Sequence, residues 1–196
     1  MTEIELRPAT ADDVPALAEL AIMAGDGLFD ALYQGAIVGT PTHKIIERRI
    51  LLVGTTKSYE NCWVAADQQK VIAGLNAYPT DDEASDPPNV LLPVDRHYLL
   101  EPLKQLHAPG TFYLDTVAVI PEYRGQGVGT KLLSLARSHA RKLGLRELSL
   151  NTFEQNTRAT ALYERFGFRA VMRRPAVVHE LMRYSSGNIL LMTCPT

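Results

Sequence analysis

Behind a strand-like run that ends at Ile120, and at the mouth of a helix-like run, the chain reads Arg124-Gly125-Gln126-Gly127-Val128-Gly129-Thr130. Glycine has no Cβ, so a ligand can approach the main chain closely and positive φ costs little. The first amides of a helix lack internal acceptors, and the aligned peptide dipoles leave partial positive charge there. Such a loop, with Arg124 beside it, complements the oxygens of a phosphate or pyrophosphate. The spacing rejects two common phosphate loops. Walker A needs a lysine directly after its last glycine, whereas here Thr130 separates Gly129 from Lys131. The dinucleotide fingerprint G-x-G-x-x-G has Thr130 where its third glycine belongs. What remains is the pattern R-x-x-G-x-G. A turn that only joins strand to helix is the competing reading. Against it, glycine in a helical first turn costs roughly 0.5–1 kcal/mol relative to Ala, which something should offset.

Other chemistries find little support. His43, His97, His107, His139 and His179 are scattered, and His179-Glu180 continues as LMR, so the H-E-x-x-H pattern fails and no metal site is expected. Cys62 and Cys194 are the only cysteines and form no C-x-x-C. A formal net charge of −2 gives no nucleic-acid-binding bias, and the pairs Arg48-Arg49 and Arg173-Arg174 are too sparse to change that. No run approaches the roughly 18 apolar residues of a membrane span. Glu3 and Glu5 sit where a signal peptide would want basic and then apolar residues. The expectation is a cytoplasmic protein with no membrane partner. Its 196 residues, 46% hydrophobic and 21% charged, suit a single domain over 1–196.

The glycine loop must be held by neighbouring elements. Glu3 to Arg7 alternates as a short strand does. Thr10 and Asp13 make an approximate capping box ahead of Val14, Leu17, Ala18 and Ala21 at helical spacing. Gly25 and Gly27 end that helix, GDGLFDALYQG reads as an irregular connection, and a second helix is expected over 43–52. Strands are expected over Cys62–Ala66 and Val71–Tyr78, joined by a polar turn. Pro79 to Gly110, rich in proline and paired acids, reads as loop with at most a short helix over 98–106; a loop that long is usually functional or disordered. Thr111 to Ile120 is the strongest strand, apolar on both faces except Asp115 and Thr116. Beyond the glycines, Val128, Leu132, Ala136 and Ala140 mark a helix capped by Gly144. Another strand follows over 147–152, then a helix with Ala159, Leu162, Tyr163 and Phe166 that stops at Gly167. Two closing strands, 168–173 and 188–193, flank an irregular excursion. Strand and helix alternate in the middle third, which implies an α/β sheet with a parallel crossover.

On these residues the chain resembles the GNAT superfamily of N-acetyltransferases. LDTVAVIPEYRGQGVGTKLL is similar to that family's acetyl-CoA motif. The run from Asn156 through Ala159, Leu162 and Tyr163 to Phe168 resembles its second motif, and IELRPATADD resembles its usual start. The resemblance covers almost the whole chain. It implies a twisted, mixed, mostly antiparallel sheet of about 6–7 strands with a central parallel pair, flanked by about four helices.

It also implies a set of roles. The amides of Gly125, Gln126, Gly127, Val128, Gly129 and Thr130, with Arg124, would bind the pyrophosphate of acetyl-CoA. The backbone of Val117, Ala118 and Val119 would align the pantetheine, and the Val117 amide would polarise the thioester. Asn156 would touch the pantetheine, and Tyr163 would hydrogen-bond charge developing on sulfur. Asp115 and Tyr113 alternate with Val117, so the alternation predicts that they share its face, where a proton relay from the amine is expected. No cysteine lies near the motif, so direct attack in a ternary complex is expected on an amine-bearing small molecule or peptide. Asp26, Phe29, Tyr33 and the 79–110 loop are candidates to shape the acceptor pocket; His179 and Glu180 are weaker ones. A longer acyl donor and a non-catalytic CoA-binding module are the alternatives. The oligomeric state is open, a homodimer included.

Overall fold

β1 (Ile4–Pro8) opens the fold, and its expected first residue, Glu3, lies outside the described residues, which are 4–184 and 186–196 of this computed structural model. A 3₁₀ turn over Ala11–Asp13 leads into α1 (Val14–Ala24). The capping box forms: Asp13 accepts from the Thr10 amide at 2.8 Å and from both terminal nitrogens of Arg7 at 2.7 and 2.8 Å. The guanidinium of Arg7 holds the buried Asp13 carboxyl below the usual carboxylate range.

The GDGLFDALYQG segment contains a helix that its glycines hide. Leu28–Tyr33 forms α2, burying Ala31, Leu32 and Tyr33. Gly27, at φ 92°, precedes it, and a Cβ there would lie 2.0 Å from the carbonyl oxygen of Leu181, so only glycine fits. α3 (Thr42–Ile50) follows, then β2 (Cys62–Asp67) and β3 (Lys70–Pro79). The 80–110 segment is shorter in loop than its composition suggests. It holds 3₁₀ turns over Thr80–Ser85 and Val94–Leu100 and a one-turn helix, α4 (Glu101–Lys104). Side chains tie it down: Asp86 accepts from the Thr56 amide at 2.8 Å, and Asn89 donates to Tyr33 Oη at 2.6 Å. The rest of the chain gives β4 (Phe112–Val119), α5 (Val128–Lys142), β5 (Glu147–Phe153), α6 (Thr157–Phe166), β6 (Arg169–Pro175) and β7 (Asn188–Pro195).

The strands form one seven-stranded sheet in the order β1-β2-β3-β4-β5-β7-β6. Every neighbouring pair is antiparallel except β4–β5. This is the mixed sheet expected, and α1, α3, α5 and α6 are its longer helices. One face packs against α1, α2 and α3 through residues such as Leu17, Ala31 and Ile45. The other packs against α5 through Leu132, Leu133 and Ala136, with Tyr163 of α6 beside them.

Two irregularities in β4 decide where a site can lie. Its pairing with β5 stops after Phe112↔Leu148, Tyr113↔Ser149 and Leu114↔Leu150, so among the described residues the strand edge from Asp115 to Val119 has no strand partner on that side. Against β3, Asn76 pairs with Thr116 and Ala77 with Leu114, leaving Asp115 as a bulged extra residue. A bulge breaks the two-residue alternation. Tyr113 and Asp115 therefore do not share a face with Val117, contrary to the alternation argument. Val117 pairs with Leu75 and packs on the α5 side, as Leu114 does. Tyr113 and Thr116, opposite Tyr78 and Asn76, turn to the α1 side.

Candidate active site

The gap between β4 and β5 opens into a cleft of about 830 Å³, bordered by the β4 edge, the glycine loop, α6 and the α1–α2 turn. The glycine loop forms the start of α5. Gly125 and Gly127 lie at φ 77° and 80°, the left-handed region that side chains disfavour. Gly129 has a different reason: a Cβ there would sit 3.1 Å from Leu162 Cδ2, so glycine lets α5 approach α6. Backbone conformation and packing thus account for all three glycines. Their amides are nonetheless free. From Gly125 through Thr130 no backbone N–H has a partner among the described residues, and no side chain caps α5. An unpaired run of amides at a helix start is an anion receptacle.

The other expected cofactor contacts distribute unevenly around this cleft. Ala118 and Val119 border it with Val117. Arg124 is folded inward, Nε donating to the Val119 carbonyl at 2.8 Å and Nη2 lying 3.3 Å from Met23 Sδ, which fixes the loop against β4 and α1. Gln126 does not border the cleft; its side chain turns away and donates to the Glu122 carbonyl at 3.0 Å. Asn156 caps α6, accepting from the Ala159 amide at 3.2 Å, while its Nδ2 donates to Asp26 Oδ2 at 2.9 Å. Asp26 borders this cleft. Burial raises its carboxyl above the ordinary value, against the lowering effect of Asn156. Tyr163 is 8% exposed, and its hydroxyl makes no hydrogen bond with a described residue. Burial, with the nearby Asp26 charge, pushes its hydroxyl up to about 12, so it stays protonated.

A second cavity, of about 440 Å³, lies under α1, α2 and α3. The two meet along a border that includes Tyr113, Asp115, Thr116, Asn151 and Phe29. Asp115 Oδ1 lies 2.7 Å from Lys57 Nζ; Lys57 also donates to Tyr78 Oη, which donates to Glu83 at 2.7 Å. The Tyr113 hydroxyl accepts from Asn151 Nδ2 at 3.3 Å, and burial first, then the Asp115 charge, raises it well above its usual value. Tyr113 is therefore a neutral donor or acceptor and no base. Lys57, Asn76, Glu83 and Asn151 were not singled out in the sequence. A signal for two of them exists: Asn76 in AGLNAYP and Asn151 in LSLNTF are lone amides in buried strands, where polar groups need a reason. Tyr33 borders this cavity. His179 and Glu180 border neither. Among the described residues no group of His, Cys, Asp and Glu could hold a metal ion, and no helix is long and apolar enough to cross a membrane.

The model of the acetyltransferase (GNAT) family matches residues 39–168, most of the chain and both motifs. The chain belongs to the GNAT acetyltransferase family. Human N-acetyltransferase 8B is 32% identical over 155 residues, 76% of this chain and 59% of that protein. N-alpha-acetyltransferase 30 of Schizosaccharomyces pombe is 39% identical over 56 residues, 29% of this chain and 37% of that one. Each match spans less than two thirds of the relative's length. Among solved structures, an N-acetyltransferase from Staphylococcus aureus Mu50 superposes with a TM-score of 0.67 at 21% identity, covering 98% of this chain and all of that one. The PaiA N-acetyltransferase of Thermoplasma acidophilum, solved with coenzyme A, gives 0.57 at 16% identity over 99% of both chains. At these identities the two structures speak for the GNAT fold alone.

Proposed function

We propose that residues 1–196 act as one catalytic domain that moves an acetyl group from acetyl-CoA to a primary amine by direct attack in a ternary complex. The observation that carries this is the meeting of two compartments: a cleft with unpaired helix-start amides and a separate cavity, joined at Asp115 and Thr116. Holding two reactants on either side of such a border makes attack effectively unimolecular. In this reading the Gly125–Thr130 amides bind the pyrophosphate, and the unpaired β4 edge runs along the pantetheine. The Val117 amide donates to the thioester oxygen, where a fixed donor is worth most because water is excluded. Binding of coenzyme A in the cleft is supported by the family and by the CoA complex of the PaiA protein.

The amine must lose a proton to attack. With an amine pKa near 10 this costs about 4 kcal/mol at pH 7. Asp115, with Oδ1 held by Lys57 and Oδ2 met among the described residues only by Thr116 Oγ1 at 3.5 Å, accepts that proton through water. As the nitrogen bonds to the carbonyl carbon and the C–S bond breaks, the electron pair leaves on sulfur. Tyr163 donates a hydrogen bond to it. Full transfer from a hydroxyl at about 12 to a thiolate of reference pKa 8.5 is uphill by roughly 5 kcal/mol, so the proton stays on Tyr163. A reducing cytoplasmic setting suits the free thiols of Cys62 and Cys194.

Calorimetric titration with acetyl-CoA, followed by thiol release over a panel of amines, tests the proposal. Binding heat and turnover with some amine are expected. Absence of both would overturn it, and binding without turnover on any amine would leave a CoA-binding module instead.

A further inference from the structure

Two groups of side chains of opposite character border the acceptor cavity, and from that we infer the class of amine it takes. The inference rests on the acetyl-transfer reading above for which group reacts. On β3, β4 and β5, the unsatisfied groups are acceptors. Asn76 and Asn151 each carry a buried side-chain oxygen with no partner among the described residues, and Asn76 is only 7% exposed. Beside them, Asp115 and Glu83 set two carboxylates against the single ammonium of Lys57. Most buried polar atoms find a partner, so two orphaned oxygens next to surplus negative charge point to a ligand with several N–H donors.

The group on α2, α3 and the 80–110 segment is the reverse. Tyr33 Oη accepts from Arg49 Nη1 at 2.7 Å and from Asn89 Nδ2 at 2.6 Å. An oxygen that accepts twice must send its own proton elsewhere, and no described acceptor takes it. Arg49 takes part in no ion pair among the described residues, whereas Lys104, also on the cavity wall, is paired with Glu101 at 2.7 Å. Arg49, Tyr33 and Asn89 border this cavity but not the cofactor cleft. Donors and an unneutralised guanidinium with no acceptor fit a carboxylate or a comparable anion. The same wall also carries the apolar side chains of Leu17, Leu32, Ile46 and Leu106.

The acceptor is therefore zwitterionic: a primary amine joined through a compact apolar body to an anionic group. The amine lies toward Asp115, Asn76 and Asn151, and the anion toward Arg49 and Tyr33. A polyamine would bring positive charge to Arg49, and the N-terminal residue of a peptide has its own carboxyl tied up as an amide.

Matched pairs separate these cases: phenylalanine with phenethylamine, leucine with isoamylamine, aminohexanoate with hexylamine, and a short apolar peptide. Each is titrated calorimetrically into the full chain with and without acetyl-CoA, and kcat/KM is taken from thiol release. At least one anionic member should exceed its partner by about tenfold to a hundredfold, the size expected of a charge-assisted bond. Arg49→Gln should bring that pair level, and Arg49→Lys should restore part of the difference. Equal or better binding by the uncharged-tail amines in every pair, a preference for the peptide, or an unchanged ratio in Arg49→Gln would overturn the inference. Acetyl-CoA heat in the same samples reports on the parent reading separately. Its loss would sink acetyl transfer, while the titrations run without acetyl-CoA would still read the charge preference.

Discussion

The cofactor cleft and the acceptor cavity share a border of a few residues yet are built from different materials. In the proposed reading the cleft takes its anion-binding groups from one contiguous stretch, Gly125–Thr130, whose main-chain amides are unpaired among the described residues. The cavity takes its polar groups from side chains on α2, α3, β3, β4, β5 and the 80–110 segment, far apart in the chain. A pyrophosphate presents the same oxygens whichever acyl group it carries, so backbone suffices to hold it. An acceptor amine is told from its rivals by shape and charge, which only side chains supply. The difference predicts that mutations on the two sides should separate cleanly in their effects.

The largest separation is expected at Asp115. Asp115→Asn keeps the shape but removes the proton acceptor, so kcat with the best amine should fall about 100- to 1000-fold. The acetyl-CoA Kd should stay within about twofold, because no phosphate-binding group changes. A comparable loss of cofactor affinity, measured by calorimetry, would show that the border residue belongs to the cleft as much as to the cavity. Gly127→Val is the mirror experiment. At φ 80° a β-branched residue is strained by about 1–2 kcal/mol or more, and relief of that strain must turn the loop amides. Acetyl-CoA should bind about tenfold or more weakly, while an amine titrated alone should bind as before. If both affinities fall together, the two compartments are coupled and the division fails.

The same division explains what could be read before the structure. The glycine loop, the capping box at Thr10 and Asp13, and the strands and longer helices are written in local spacing, whereas the mostly antiparallel sheet is implied by the family resemblance. α2 was hidden because its six residues are too few for a periodic stripe and glycines flank it. The bulge at Asp115 was hidden because a register shift is a property of two strands, and only β3 reveals it. That one residue reverses the face assigned to Tyr113 and Asp115 relative to Val117. Lys57 illustrates the general limit: its partners Asp115 and Tyr78 are 58 and 21 residues away, and no pattern in its own neighbourhood announces them.

Tyr163 touches the cleft from α6 and tests the boundary from the chemistry side. Tyr163→Phe removes a hydrogen bond to sulfur, and neutral hydrogen bonds are worth about 0.5–1.5 kcal/mol. A drop of about three- to tenfold in kcat is expected, with both affinities unchanged. The pH profile sharpens this. Its pKa is raised, so the donating, protonated form persists to about 12. Any fall in kcat between about pH 8 and 10 must come from another group and should survive in the Phe variant. Loss of that limb in the variant would mean that Tyr163 titrates near neutrality and acts as a full acid.

The smallest effect is expected where the glycine pattern looks most uniform. Gly129 stands in the same motif as Gly125 and Gly127, but its φ is not in the left-handed region and its constraint is Leu162 Cδ2 at 3.1 Å from a built Cβ. That atom is the tip of a flexible side chain and can give by a few tenths of an ångström. Alanine also gains about 1 kcal/mol over glycine inside a helix. The two effects nearly cancel, so Gly129→Ala should shift the urea midpoint little and leave the acetyl-CoA Kd within about threefold of wild type. Gly127→Ala, at positive φ, should lose more on both measures. Should Gly129→Ala instead abolish cofactor binding while folding normally, the bare Cα of Gly129 faces the ligand, and the packing account of that glycine is wrong.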